Sequence, residues 1–188
     1  MDKTAVFLDA GYVDKVLYYD HGNARVDYGM LAQEMVAPNE LFRTYYYHCM
    51  PYQSNPPTEE EKTRYANKHR FITALGRLPR FEVRLGRLAK VGVNVDGKSI
   101  YVQKRVDCML GVDMALLAGK RMISNVVLFS GDSDFIPAIE AVKREGIIVT
   151  LWHGGATADT HASRDLIQCC DERKMLEPST VEKITRQF

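Results

Sequence analysis

The chain has 188 residues, a formal net charge of +1 and 46% hydrophobic residues. That length supports one domain with a core of its own, and 26% charged residues, near the globular average, exclude wholesale disorder. No apolar run approaches the roughly 20 residues of a membrane-spanning helix, and the N-terminal run Val6-Phe7-Leu8 stops at Asp9, unlike a signal-peptide core. Cys49, Cys108, Cys169 and Cys170 form no CxxC pair, which predicts reduced thiols and a cytoplasmic setting.

Residues 4–8 read as a buried parallel strand that ends at Asp9-Ala10-Gly11. Residues 12–19 suit a short helix, and Asp27 caps a second one through about Val36. Residues 41–49, rich in aromatics, read as a second strand, and 51–57 as a loop. Thr58 and Glu61 form a capping box for a long helix to about Arg77. Residues 81–95 are extended, Asp96-Gly97 turns the chain, and 99–103 return as a strand. A helix at 106–119 precedes a short strand at 126–129. A helix over 135–145 follows, with Gly146 at its C-terminal cap. A buried strand at 147–152 leads to a helix over 160–170. Pro178-Ser179 with Glu182 marks a C-terminal helix through a second capping box. This alternation predicts an α/β fold with a largely parallel sheet. Residues 1–176 form one domain, with a basic helix and hairpin inserted at about 58–103, and 177–188 a short terminal helix.

Charge is unevenly spread. Between residues 62 and 105 there are twelve basic residues and only Glu82 and Asp96 as acids, a net +10, against −9 elsewhere. A solvated face explains part of such a block; a surface for a polyanion explains it as well. Arg64 and Lys68 lie four apart on the helix after Thr58 and so share a face, while Arg84 lies in the extended segment. Tyr65, Phe71 and Tyr101 interleave with these cations, a pattern that suits single-stranded RNA as well as core packing.

The acidic residues fall where open parallel sheets build their sites, at the carboxyl ends of strands. Asp9 follows one predicted strand; Asp132 and Asp134 follow another. A strand-end Asp is often only a cap, but carboxylates gathered together repel and require a raised pKa, a basic partner or a cation. An oxygen-only donor set suits Mg²⁺ or Mn²⁺. The helix from Val106 offers Asp107 in its first turn and Asp113 among apolar neighbours. Six residues separate them, about 9 Å along the axis, so they do not share one ion, and Asp107 is the better member of the strand-end cluster. Lys104 and Arg105 precede it and can meet a phosphate; Ser130 beside the acidic pair can bind a phosphate or shape the turn. His153 and His161 follow the last predicted strand and can touch substrate or serve as surface residues.

Phe7-Leu8-Asp9-Ala10-Gly11-Tyr12, Lys104-Arg105-Val106-Asp107 with Asp113, and Ser130-Gly131-Asp132-Ser133-Asp134-Phe135 together resemble the NYN domain, most closely its bacterial LabA-like branch. The resemblance runs from Thr4 to about Leu176. It implies a Rossmann-like, PIN-type fold with helices on both faces of a parallel sheet, and a metal-dependent ribonuclease. It assigns Asp9, Asp107, Asp132 and Asp134 to catalysis and to a Mg²⁺ or Mn²⁺ site, with Asp113 a further acidic match. Many NYN domains carry Asn three residues after the first Asp; here Tyr12 stands there and could stack on a base. The substrate residues implied are Tyr12, Arg64, Lys68, Arg84, Lys104, Arg105 and Ser130. Pairing into a homodimer would supply a groove. The alternative is a PIN-like RNA-binding or regulatory module with weak or no turnover. A haloacid-dehalogenase phosphatase is disfavoured because Gly11 replaces its second Asp. A P-loop and a GxGxxG after a strand are both missing, so nucleotide-cofactor chemistry has little support.

Overall fold

The computed structural model describes residues 2–97 and 99–185. Its strands are β1 (Lys3–Asp9), β2 (Glu40–Cys49), β3 (Phe81–Val93), β4 (Ser99–Lys104), β5 (Asn125–Phe129), β6 (Ile148–His153) and β7 (Glu172–Met175). They form one sheet in the order β4-β3-β2-β1-β5-β6-β7. Every pairing is parallel except β3 with β4.

The central strand shows why the sheet lies between two helical layers. Thr4 to Leu8 are all buried. Ala5 and Phe7 face a core shared with Leu110, Met114 and Ile139, whereas Val6 and Leu8 face one shared with Val13, Leu31 and Ile184. Side chains alternate across a strand, so an unbroken apolar run has two faces to bury and needs helices on both. The first layer holds α4 (Val106–Gly119), α5 (Ile136–Arg144) and α6 (Arg164–Cys169). The second holds α1 (Ala10–Tyr19), α2 (Tyr28–Val36), α3 (Glu59–Leu75) and α7 (Pro178–Ile184).

The caps read from sequence at Asp27 and at Thr58 with Glu61 are both formed. Three expectations change. The helix expected over 160–170 begins only at Arg164, because Thr160 ends a short 3₁₀ turn and turns its hydroxyl to Asp20. The second capping box is not made: Pro178 takes the first helical position, which puts Ser179 inside α7 rather than at its cap. An additional strand, β7, joins the sheet edge beside β6. Lys98 in the expected hairpin and residues 186–188 of the C-terminal segment lie outside the described residues.

From Arg87 onward β3 leaves β2 and pairs only with β4, as a ribbon exposed along most of its length. Among the described residues no helix is long and apolar enough to cross a membrane. The four cysteines are free thiols.

Candidate functional site

β1 pairs with β2 on one side and β5 on the other. The chain runs outward from this pair in both directions, so the carboxyl ends of β1 and β5 flank the switch point where such sheets leave a crevice. Asp9 ends β1 and is also the N-cap of α1. Its Oδ1 accepts the Tyr12 N–H at 3.3 Å and its Oδ2 accepts the Ser130 hydroxyl at 3.0 Å. Ser130 is fully buried just beyond β5, and its Oγ also accepts the Asp132 N–H at 3.3 Å. Asp132 caps the 3₁₀ turn Ser133–Phe135 by accepting the Asp134 N–H at 3.0 Å. The cap reading and the site reading of these aspartates therefore coexist: capping fixes where each carboxylate points.

Asp107 enters from α4, in its first turn. A single residue, Arg105, in the left-handed region at φ 76°, joins β4 to α4. Gly86 of β3 lies against that corner; a Cβ there would come within 2.6 Å of both the Lys104 carbonyl oxygen and Val106 Cγ2. The close approach brings the start of α4 in over the sheet.

Asp9, Asp107 and Asp132 line one cleft of about 470 Å³, together with Lys15, Gln103, Asp159 and His161. Burial raises the Asp9 carboxyl pKa; the Ser130 and Tyr12 hydrogen bonds oppose this, and the charges of Asp107 and Asp132 add to it. Asp107 is raised by burial and then by the charges of Asp132 and Asp134. No Lys or Arg nitrogen lies within 4.0 Å of these four carboxylates among the described residues.

An uncompensated, oxygen-only set of this kind fits a hard divalent cation. Among the described residues no group of three or more His, Cys, Asp or Glu side chains is placed to hold a metal ion by itself. Mg²⁺ needs no such group: it keeps several waters and takes one or two carboxylates plus substrate phosphate oxygens.

Other expected site residues fall elsewhere. Asp134 is exposed and does not line the cleft wall. Asp113 accepts the Tyr47 hydroxyl at 2.8 Å and lies 3.4 Å from Arg84 Nε, so its charge has an internal partner in place of a metal. Arg84 is held by Asp113 and by Glu82 at 3.0 Å, and is not a free substrate cation. Ser130 is too buried to touch a phosphate; it orients Asp9 instead. Tyr12 lines the cleft, but its hydroxyl donates to the Thr160 carbonyl at 2.6 Å and accepts the Gly154 N–H at 3.1 Å. Its ring meets Phe129 edge to face, so it braces the site rather than swinging out to stack on a base.

The structure also separates the expected pair on α3. Lys68 is half-buried, 3.7 Å from Asp14 and above the Phe71 ring. Arg64 lines a shallow groove with Glu59 and Glu60 that shares no wall residue with the aspartate cleft. Lys104 and Arg105 remain exposed, and Lys104 sits directly across the ribbon from Arg87. His153 bonds the neighbouring Gly154 carbonyl at 2.5 Å, whereas His161 lines the cleft. Sequence reasoning passed over Lys15, Gln103 and Asp159. Helical spacing from Gly11 could have found Lys15; Asp159, in the short 3₁₀ turn that ends at Thr160, gave no signal.

The NYN domain family model matches residues 3–176. A crystal structure of a protein of unknown function from Vibrio parahaemolyticus RIMD 2210633 has the same fold, with a TM-score of 0.61 at 21% identity over 94% of each chain. No curated protein matches the sequence. With the family match spanning nearly all of the sheet and every wall of the aspartate cleft, the chain belongs to the NYN domain family, a family of PIN-like nucleases.

Proposed function

We propose that this protein is a divalent-metal-dependent ribonuclease that hydrolyses phosphodiester bonds of single-stranded RNA in the cleft at the β1/β5 switch point. The observation that carries the reading is the meeting of Asp9, Asp107 and Asp132, from three separate elements, on one cleft, with no Lys or Arg nitrogen within 4.0 Å of any of the three among the described residues. One or two of these carboxylates, with water and substrate phosphate oxygens, would hold Mg²⁺ or Mn²⁺, which when bound supplies positive charge that polarises the scissile phosphate and makes water a stronger nucleophile.

The chain's own residues do the remaining work. Ser130 and the Tyr12 N–H hold the Asp9 carboxylate in one orientation. Lys15 lines the cleft and would supply a cation to the phosphate. The ribbon extends the basic surface. Arg87 and Lys104 are directly opposed like charges with no carboxylate within 4.0 Å among the described residues, and a phosphate between them relieves their repulsion. Water attacks phosphorus, the P–O bond to the leaving ribose oxygen breaks, and that oxygen takes up a proton.

Incubation of the protein with labelled single-stranded RNA in Mn²⁺, Mg²⁺ or chelator, beside Asp132→Asn, tests this. Cleavage that requires the metal and disappears in the variant is expected. Equal cleavage by both proteins would overturn the site. A specific observation favours a second reading, an RNA-binding module of low turnover: the position where many NYN domains carry Asn is held by a Tyr whose hydroxyl is fully engaged. RNA binding by a wild type that does not cut would select it.

A further inference from the structure

We propose that the cavity along the outer face of α1 is a base-binding subsite for single-stranded RNA, seating a nucleotide next to the phosphate held in the aspartate cleft. The inference rests on the ribonuclease reading above.

Four observations carry it. The first is continuity. A cavity of about 720 Å³ lies between α1, the α1–α2 loop and α3, and Gly11 and Lys15 line both it and the aspartate cleft. The second is the helix itself. Ala10, Val13, Val16 and Leu17 bury one face of α1 against the sheet. Gly11, Asp14, Lys15 and Tyr18, at helical spacing, line the cavity on the other, with Leu17 at the edge between the two. Seven residues from Gly11 to Tyr18 cover about 10 Å along the axis, the reach of a neighbouring nucleotide.

The third observation is aromatic. Tyr18 and Tyr19 are 58% and 49% exposed, yet both line the cavity, with ring centroids 4.9 Å apart at 86°. Two exposed rings set at right angles give a base a surface to stack on, and Phe71 and Tyr28 also line the cavity. Stacking on aromatic side chains is how proteins hold unpaired bases irrespective of sequence. The fourth is charge. Lys15 and Arg25 line the cavity and have no carboxylate within 4.0 Å among the described residues. Asp14, the acid in the wall, is already engaged by His48 at 3.1 Å and Lys68 at 3.7 Å. The His48 tautomer is set, since its Nδ1 accepts the Cys49 N–H, which leaves Nε2–H to donate to Asp14. The cavity therefore presents net positive charge beside an aromatic corner, the combination a nucleotide requires.

Binding of a fluorescein-labelled twelve-nucleotide RNA is measured by anisotropy in chelator, so that turnover plays no part, and cleavage of the same RNA is measured in Mn²⁺. Tyr18→Ala/Tyr19→Ala is expected to weaken binding by about ten-fold, the loss of one base–aromatic stack, and Tyr18→Phe/Tyr19→Phe to restore it. Arg25→Glu, at an exposed position, should weaken binding and flatten its salt dependence. A 4-thiouridine RNA should cross-link to Tyr18 or Tyr19 in the wild type. Unchanged affinity in a folded alanine variant, together with cross-links elsewhere, overturns the subsite even if the protein cuts RNA. Tyrosine-dependent binding by a protein that does not cut keeps the subsite and overturns the nuclease. A wild type that neither binds nor cuts RNA overturns both.

Discussion

The Ser130 hydroxyl donates to Asp9 Oδ2 across 3.0 Å and thereby ties the end of β5 to the end of β1. The same oxygen accepts the Asp132 N–H, so one buried serine orients the Asp9 carboxylate and fixes the backbone at Asp132. Ser130→Ala removes both bonds and leaves the Asp132 N–H without that acceptor. The variant should lose about 1–3 kcal/mol of stability and most of its cleavage, although it retains every cleft carboxylate. Urea denaturation gives the first quantity and initial rates in Mn²⁺ the second. Wild-type cleavage in a destabilised variant would show that Asp9 needs no such anchor.

On the far side of the cleft, Asp20 holds the β6–α6 loop. Its oxygens accept from Thr160 Oγ1 at 2.7 Å, Thr157 Oγ1 at 3.0 Å and the Gly155 and Ala156 N–H groups. Burial by itself would raise the Asp20 carboxyl pKa, but these donors together more than offset it and hold it below the ordinary aspartate value. A depressed carboxylate stabilises the fold fully above its unfolded value, and the contribution is lost as pH falls through the folded one. Asp20→Asn should therefore cost about 2 kcal/mol at neutral pH, and the gap from wild type should close below about pH 4. Chemical denaturation of both proteins from pH 7 to pH 3 follows the gap; one that widens in acid would contradict the assignment.

Tyr12 and Gly131 fit each other so closely that their variants should not be additive. A Cβ on Gly131 would fall on the Tyr12 ring, and that ring is pinned at its hydroxyl by Thr160 and Gly154. Tyr12→Phe leaves a buried carbonyl and a buried N–H unpaired, which costs about 1–3 kcal/mol. Gly131→Ala forces the ring aside, at a similar cost of roughly 1–3 kcal/mol. Once the hydroxyl is gone the ring is free to yield, so the double variant should lose less than the sum of the two. A double-mutant cycle by thermal or urea unfolding reads the coupling, and strict additivity would mean the hydroxyl does not restrain the ring.

Much of this architecture is written in local pattern. The unbroken apolar run in β1 requires two helical layers, and Asp27, Thr58 and Glu61 mark helix starts that form as read. β7 escaped because Glu-Arg-Lys-Met carries no apolar alternation; its four residues are exposed, and it joins β6 through the backbone ladder and polar contacts such as Thr150 with Glu172. α6 starts later than the pattern over 160–170 indicates because Thr160 bonds Asp20, 140 residues away, a contact no local pattern contains. The site divides along the same line. Asp9, Asp107 and Asp132 are visible because strand ends and helix starts locate them, but the partners of Asp113 and Arg84 come from different elements. No spacing rule reveals that these two charges neutralise each other.

That difference separates Asp113 from Asp132 experimentally. Asp113 is bonded to Tyr47 and Arg84, so Asp113→Asn should lower the melting temperature while leaving the response to metal intact. Asp132 faces the cleft and raises the pKa of both Asp9 and Asp107 by repulsion. Neutralising it relieves that repulsion, and the Asn oxygen can still accept the Asp134 N–H. Asp132→Asn should therefore keep or slightly raise the metal-free melting temperature. A ligand at a hundred times its dissociation constant stabilises the folded state by about 2.7 kcal/mol, which for a chain of this size is roughly 5–10 °C. Differential scanning fluorimetry with and without saturating Mn²⁺ should show that rise in wild type and Asp113→Asn and none in Asp132→Asn. A rise that survives Asp132→Asn and vanishes in Asp113→Asn would move the metal out of the cleft and onto α4.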